Sequence, residues 1–194
     1  KGNNYQFETG SMLRKNTAFE SIRSLILREI NENLTDIQNA FATYKTDQDG
    51  ELNDIVMKWN EIVEMSRDPL VTIGAHTVRH LPLKTLGDEA VRREIMLSKK
   101  IIESKIFKKV DHFAYPYGKK DTTGAREFAI ASECGFKTMT TTRDASIFRE
   151  HAGYLNALPR IGISGRRQDL ASFKIIMDGA YSALSNKFHR IVTI

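Results

Sequence analysis

The chain has 194 residues, of which 41% are apolar and 27% charged, and it carries a formal net charge of +5. That length suits one domain with a sizeable core and an appended segment. No run of eighteen apolar residues occurs, which excludes a helical membrane span. The basic residues come as scattered pairs, such as Arg14-Lys15 and Lys108-Lys109, which suit solvated faces better than a nucleic-acid groove. The single cysteine, Cys134, excludes an internal disulfide and a multi-cysteine zinc site. It is expected to be a small buried apolar residue near a helix end.

In chain order, residues 1–66 read as a helical segment. NTAFESIRSLILREI places Phe19, Ile22, Leu25, Leu27 and Ile30 near helical period, with Asn16 or Thr17 as its cap. LTDIQNAFATY continues the pattern. KTDQDGELND resembles a calcium loop superficially, but Lys45 stands at the first ligand position and Val56 at the last, so that reading fails. VMKWNEIVEMSRDP is a further helix that stops before Pro69.

Residues 67–194 alternate strand and helix. LVTIGA is a strand, and GDEAVRREIMLSKKIIESKIF a helix with Val91, Ile95, Ser98, Ile102 and Ile106 on one face. Its acidic start, Asp88 and Glu89, suits the positive end of the helix dipole. VDHFAYP is the next strand. TTGAREFAIASECG follows as a helix closed by Gly135, then FKTMTTT and LNALPRIGI as strands, and QDLASFKIIMDGAYSAL as a last helix. Such alternation predicts a mainly parallel α/β sheet. Four strands are too few for a closed barrel of about eight. The sheet is therefore open, or strands are missing.

The chemistry concentrates at two strand ends. His76 and His80 follow the strand Leu70–Ala75, and one helical turn there would bring both imidazoles to one side, close enough to share a cation. Gly74 allows a bend or a close approach, and Thr77 can cap the turn. FAYPYG, Phe113 to Gly118, ends the next strand, and its rings and the Tyr117 N–H are expected at the mouth of the site.

Together these features resemble the polysaccharide deacetylases of the NodB-homology fold. Gly-Ala-His-Thr-Val-Arg-His resembles that family's H-[ST]-x-x-H metal motif, and Ala114-Tyr115-Pro116-Tyr117 stands where the family carries Arg-x-Pro-aromatic. The resemblance also runs through WNEIVEM, LPLKTLGDEAVRREI and CGFKTMTTT, over roughly residues 55 to 163. It implies a partial or distorted (β/α) barrel and metal-dependent removal of N-acetyl groups from an amino-sugar polymer. His76 and His80 would be the metal ligands, for zinc first and cobalt or nickel as alternatives. Tyr117 would supply the oxyanion N–H, and Tyr115, Pro116 and Tyr117 would shape the substrate pocket. The resemblance implies a cell-envelope or secreted setting, with the cytoplasm as the alternative.

Three departures qualify what the resemblance implies. The family's Thr-Phe-Asp-Asp-Gly motif holds the base and the third ligand, and no Asp-Asp pair occurs in the chain. The expectation is an α/β domain incomplete at its N-terminal side, and a chain that is inactive as it stands. Ala114 replaces the motif arginine that orients the base, and Arg160 in LPRIGI is the candidate substitute. No counterpart of the family's late acid histidine is recognisable. His112, on a strand, and His151, in a polar loop, are expected to be structural, and His189 is left without a role. A second reading keeps the fold as an inactive carbohydrate-binding or scaffolding domain. A serine mechanism is disfavoured, since no G-x-S-x-G elbow occurs.

Overall fold

The computed structural model describes residues 5–40, 55–163, 165 and 169–193. The rejected calcium-like segment, KTDQDGELND, lies wholly outside them. The chain divides into two compact units, Lys1–Val56 and Met57–Ile194. No helix among the described residues is long and apolar enough to cross a membrane.

The first unit is built on α1, Met12–Ala40. It starts earlier than the sequence suggests. The Ser11 hydroxyl accepts from the Arg14 N–H at 3.3 Å, while Thr17 lies inside the helix and donates to the Leu13 carbonyl. Serine outcompetes the expected Asn16 and Thr17 because the helix has already begun there.

The second unit opens with α2, Trp59–Met65, whose Glu61 carboxylate caps the Lys58 N–H at 2.6 Å. Four parallel segments then line up in the order Ala75, β1, β2, Leu158. Only the middle two are strands of any length. β1 is His112–Ala114 and β2 Thr138–Thr140, with His112 beside Thr138 and Ala114 beside Thr140. Ala75 joins β1 through single bonds of 2.9 Å to His112 and Ala114, and Leu158 joins β2 through a bond of 2.8 Å to Met139. The predicted strands at Leu70–Ala75 and in LNALPRIGI thus shrink to isolated bridges. The sheet is small and open.

The connections carry the core. Between Ala75 and β1 runs α3, Asp88–Ile106, whose Val91, Ile95, Ser98 and Ile106 are buried as the periodicity requires. Between β1 and β2 runs α4, Ala125–Glu133, which packs on α3 and buries Phe128, Ile130 and Ala131. Leu81, Leu83, Val110, Phe113 and Met139 complete the apolar centre. Gly135 ends α4 at a φ of 73°. Lys99 reaches from α3 to the carbonyls of Cys134 and Gly135 at 3.3 and 2.8 Å, and so caps the helix end with a cation. Cys134 is buried at this junction, and burial pushes its thiol pKa up.

The last predicted helix is two, α5 at Leu170–Met177 and α6 at Ala180–Ser185. Gly179 adopts a φ of 74° and breaks the run. The left-handed backbone favours glycine; an added side chain would meet only the Ser146 hydroxyl, at 2.7 Å, which can turn aside.

Candidate metal centre

Because the four segments are parallel, the residues that follow them share one edge of the sheet. His76 follows Ala75, Tyr115 to Tyr117 follow β1, Thr141 and Thr142 follow β2, and Arg160 stands two residues past Leu158. The structure brings His76, His80 and Tyr117 together there. The His76 and His80 ring centroids are 4.7 Å apart at an interplanar angle of 71°, and those of His80 and Tyr117 are 4.8 Å apart at 70°.

The rings meet without the helical turn expected from their spacing. Residues 76–80 form an irregular loop in which Thr77 and His80 have φ of 64° and 56°. Left-handed backbone at two non-glycine residues is unfavourable in isolation, so neighbouring bonds must hold it. The Thr77 hydroxyl accepts from the His80 N–H at 3.1 Å, the capping role expected of it. Gly74 lies against β1, where an added side chain would stand 3.1 Å from the His112 carbonyl. Its purpose is close approach.

The ring nitrogens of both imidazoles are the groups that could hold a cation. Nδ1 of His76 donates to the Ala114 carbonyl at 2.6 Å, which leaves the lone pair on Nε2. Burial, and then the neighbouring His76, hold His80 below the usual imidazole pKa and favour its neutral form. Neutral imidazoles suit zinc, cobalt or nickel. They make only part of a centre, however: among the described residues no group of three His, Cys, Asp or Glu side chains converges. A catalytic zinc site normally has a third protein donor, often a carboxylate.

The FAYPYG bend behaves differently from expectation. Tyr115 is 1% exposed, its hydroxyl donating to the Asn156 carbonyl at 2.8 Å and its ring against Phe113 and Phe128. Pro116 is also buried. Neither offers a face to a substrate; they form the floor, because the pleat turns Tyr115 inward to the core. Only the Tyr117 ring reaches the histidines. Tyr117 has a φ of 60° in a three-residue turn closed by the Gly118 N–H on the Pro116 carbonyl at 2.6 Å. The Thr142 hydroxyl donates to the Tyr117 carbonyl, and the Thr142 N–H to that of Gly118 at 3.2 Å.

The other expected residues are dispersed. Arg160 is exposed, with its backbone N–H on the Arg143 carbonyl. His112 bonds the Thr138 hydroxyl at 2.7 Å within the sheet. His151 is buried in a 3-10 turn, Arg149–Gly153, rather than lying in an open loop, and its Nδ1 accepts from the Phe148 N–H.

Two residues escaped the sequence reading. Arg143 follows the TTT run, crosses the Phe128 ring at 5.2 Å, and donates to the carbonyls of Thr123 and Thr193. Glu94 lies on the buried face of α3 and grips the histidine loop through the Val78 and Arg79 backbone N–H groups. Burial alone would raise its pKa, but the hydrogen bonds and charge of Arg79 pull it below the ordinary carboxylate value. A depressed carboxylate stabilises the fold fully above pH 4.5, and the contribution is lost as pH falls through the folded value. Urea titrations of Glu94→Gln across pH 3 to 6, a range set about the ordinary carboxylate value, are expected to show a flatter pH dependence than wild type.

Residues 23–139 match the family model described as polysaccharide deacetylase. The chain belongs to the polysaccharide deacetylase family. The family match begins inside α1, earlier than the motif resemblance, and ends in β2. No curated protein matches the chain. Among solved structures, the de-N-acetylase from Aggregatibacter actinomycetemcomitans is 18% identical, with a TM-score of 0.51 over 62% of this chain and 53% of that one. That likeness concerns the fold. The Streptococcus pyogenes deacetylase PplD, solved in complex with acetate, is 25% identical, with a TM-score of 0.48 over 55% of this chain and 45% of that one. This polysaccharide deacetylase chain thus spans about half the length of either structure.

Proposed function

We propose that this chain carries the histidine part of a metal-dependent N-deacetylase centre, acting on N-acetyl groups of an amino-sugar polymer. The observation that supports the reading most is the meeting of His76, His80 and Tyr117 at one sheet edge within a polysaccharide deacetylase chain.

In this reading Nε2 of His76 and a ring nitrogen of His80 hold a divalent ion, zinc first. The chemistry such an ion supplies when bound is polarisation of the acetyl carbonyl and activation of water. The remaining work falls to the protein. Ala114 fixes the His76 tautomer through its carbonyl. The Tyr117 N–H, in its constrained turn, stabilises the oxygen that becomes negative as the amide carbon turns tetrahedral. The Tyr117 ring limits the approach of the sugar. A carboxylate base and third ligand complete the centre from outside the described residues.

Arg160 is proposed to orient that base, as the substitute for the motif arginine replaced by Ala114. Arg160→Ala in an active full-length protein is expected to lower turnover with little change in metal content. Unchanged turnover would remove Arg160 from the site.

The lack of a three-donor cluster among the described residues favours a second reading, an inactive carbohydrate-binding or scaffolding domain of the same fold. Metal content and acetate release from an acetylated glucosamine oligomer, measured on the full-length protein, separate the two. Release that depends on metal and on both histidines supports the deacetylase. Binding of the oligomer without metal or release supports the scaffold.

A further inference from the structure

The geometry points to Glu94 as the positioning residue that prebuilds the histidine loop, holding His76 and His80 in register before any metal arrives. The inference deepens the metal-centre reading and rests on it.

The loop between the two imidazoles is tied to α3 by this carboxylate. Glu94 is 4% exposed. Its Oε2 accepts two consecutive backbone N–H groups, Val78 at 3.1 Å and Arg79 at 2.9 Å, and its Oε1 accepts Nε of Arg79 at 2.6 Å. The Arg79 guanidinium, half exposed, supplies the charge that lets a carboxylate stay buried. The grip falls on the two residues enclosed by Thr77 and His80, the left-handed positions of the loop. Strained backbone persists only where the surroundings over-determine it, and here the determinant is a rigid acceptor on a long helix. Among the described residues no hydrogen bond joins Glu94 to either imidazole. It acts through the loop, as groups behind metal-ligating histidines do, where substitution lowers metal affinity by about 10–100-fold.

The test uses this chain, ring-to-ring NOEs and Co²⁺ titration. Wild type is expected to show contacts between the His76, His80 and Tyr117 rings without metal. Glu94→Ala is expected to lose them and to weaken Co²⁺ binding about tenfold or more. Glu94→Gln, which can still accept the backbone N–H groups, is expected to keep the ring contacts and most of the affinity. Ile106→Ala serves as the stability control, since it empties a buried position on the same helix about 18 Å further along. It is expected to lower Tm while leaving ring contacts and affinity intact.

Ring contacts that survive in Glu94→Ala would overturn the inference, as would their equal loss in Ile106→Ala. If wild type binds Co²⁺ no better than His76→Ala, the metal reading fails. The ring contacts still decide the part played by Glu94.

Discussion

Zn²⁺ or Co²⁺ affinity is expected to fall about tenfold or more when either His76 or His80 is replaced by alanine. In the proposed centre two imidazoles whose ring centroids are 4.7 Å apart would share one ion, so removing either would leave a single donor. The wild-type chain is itself expected to bind weakly, because two imidazoles without a carboxylate make an incomplete set. In a full-length protein that releases acetate, the same substitutions should abolish release. Isothermal titration with the metal and an acetate assay read the two effects. Metal retained at wild-type affinity in both variants would sink the centre. Competition by protons sharpens the result: affinity should drop on acidification, and for His80, which burial holds below the ordinary imidazole pKa, the loss should come below that value.

The second large effect concerns Gly118. Its φ of 62° is left-handed, and an added Cβ would lie 2.5 Å from the Thr142 N and 3.0 Å from the Thr141 carbonyl carbon. Backbone does not yield as a side-chain tip does. Gly118→Ala therefore combines a conformational cost of about 1–2 kcal/mol with overpacking of about 1–3 kcal/mol. Urea unfolding is expected to show a loss of about 2–5 kcal/mol, by that sum. The substitution should also shift the Tyr117 turn off Thr142 and loosen its ring from His80, so metal affinity should fall with stability. A loss below about 0.5 kcal/mol, the range of ordinary surface changes, would show that the turn is not locked onto β2.

Much of this was readable in the residues themselves. Helical period placed Val91, Ile95, Ser98 and Ile106 on one buried face, and β1 and β2 lie within the predicted strand runs. The spacing of the histidines suggested that their rings meet, but not the conformation that brings them together. A four-residue interval suggests a helical turn, whereas Thr77 and His80 are driven into left-handed backbone by tertiary bonds that no local propensity encodes. Glu94 was hidden for the same reason. A carboxylate on an apolar face is visible as an anomaly, but its partners lie 15 and 16 residues earlier in the chain. Tyr115 was misread as a mouth residue because aromatic character cannot tell a floor from a rim. The outer segments pair with the sheet at one residue each, Ala75 and Leu158, so the apolar runs around them outlast the pairing.

Cys134 gives the chain a built-in reporter. It is the sole thiol, it is sealed where α4 meets the Lys99 ammonium, and its protonated form is favoured by burial. A disulfide-forming dye can attack only when that seam parts and the sulfur ionises. The pace of labelling at fixed pH therefore counts excursions of the helix terminus away from its neighbours, with no engineered tag required.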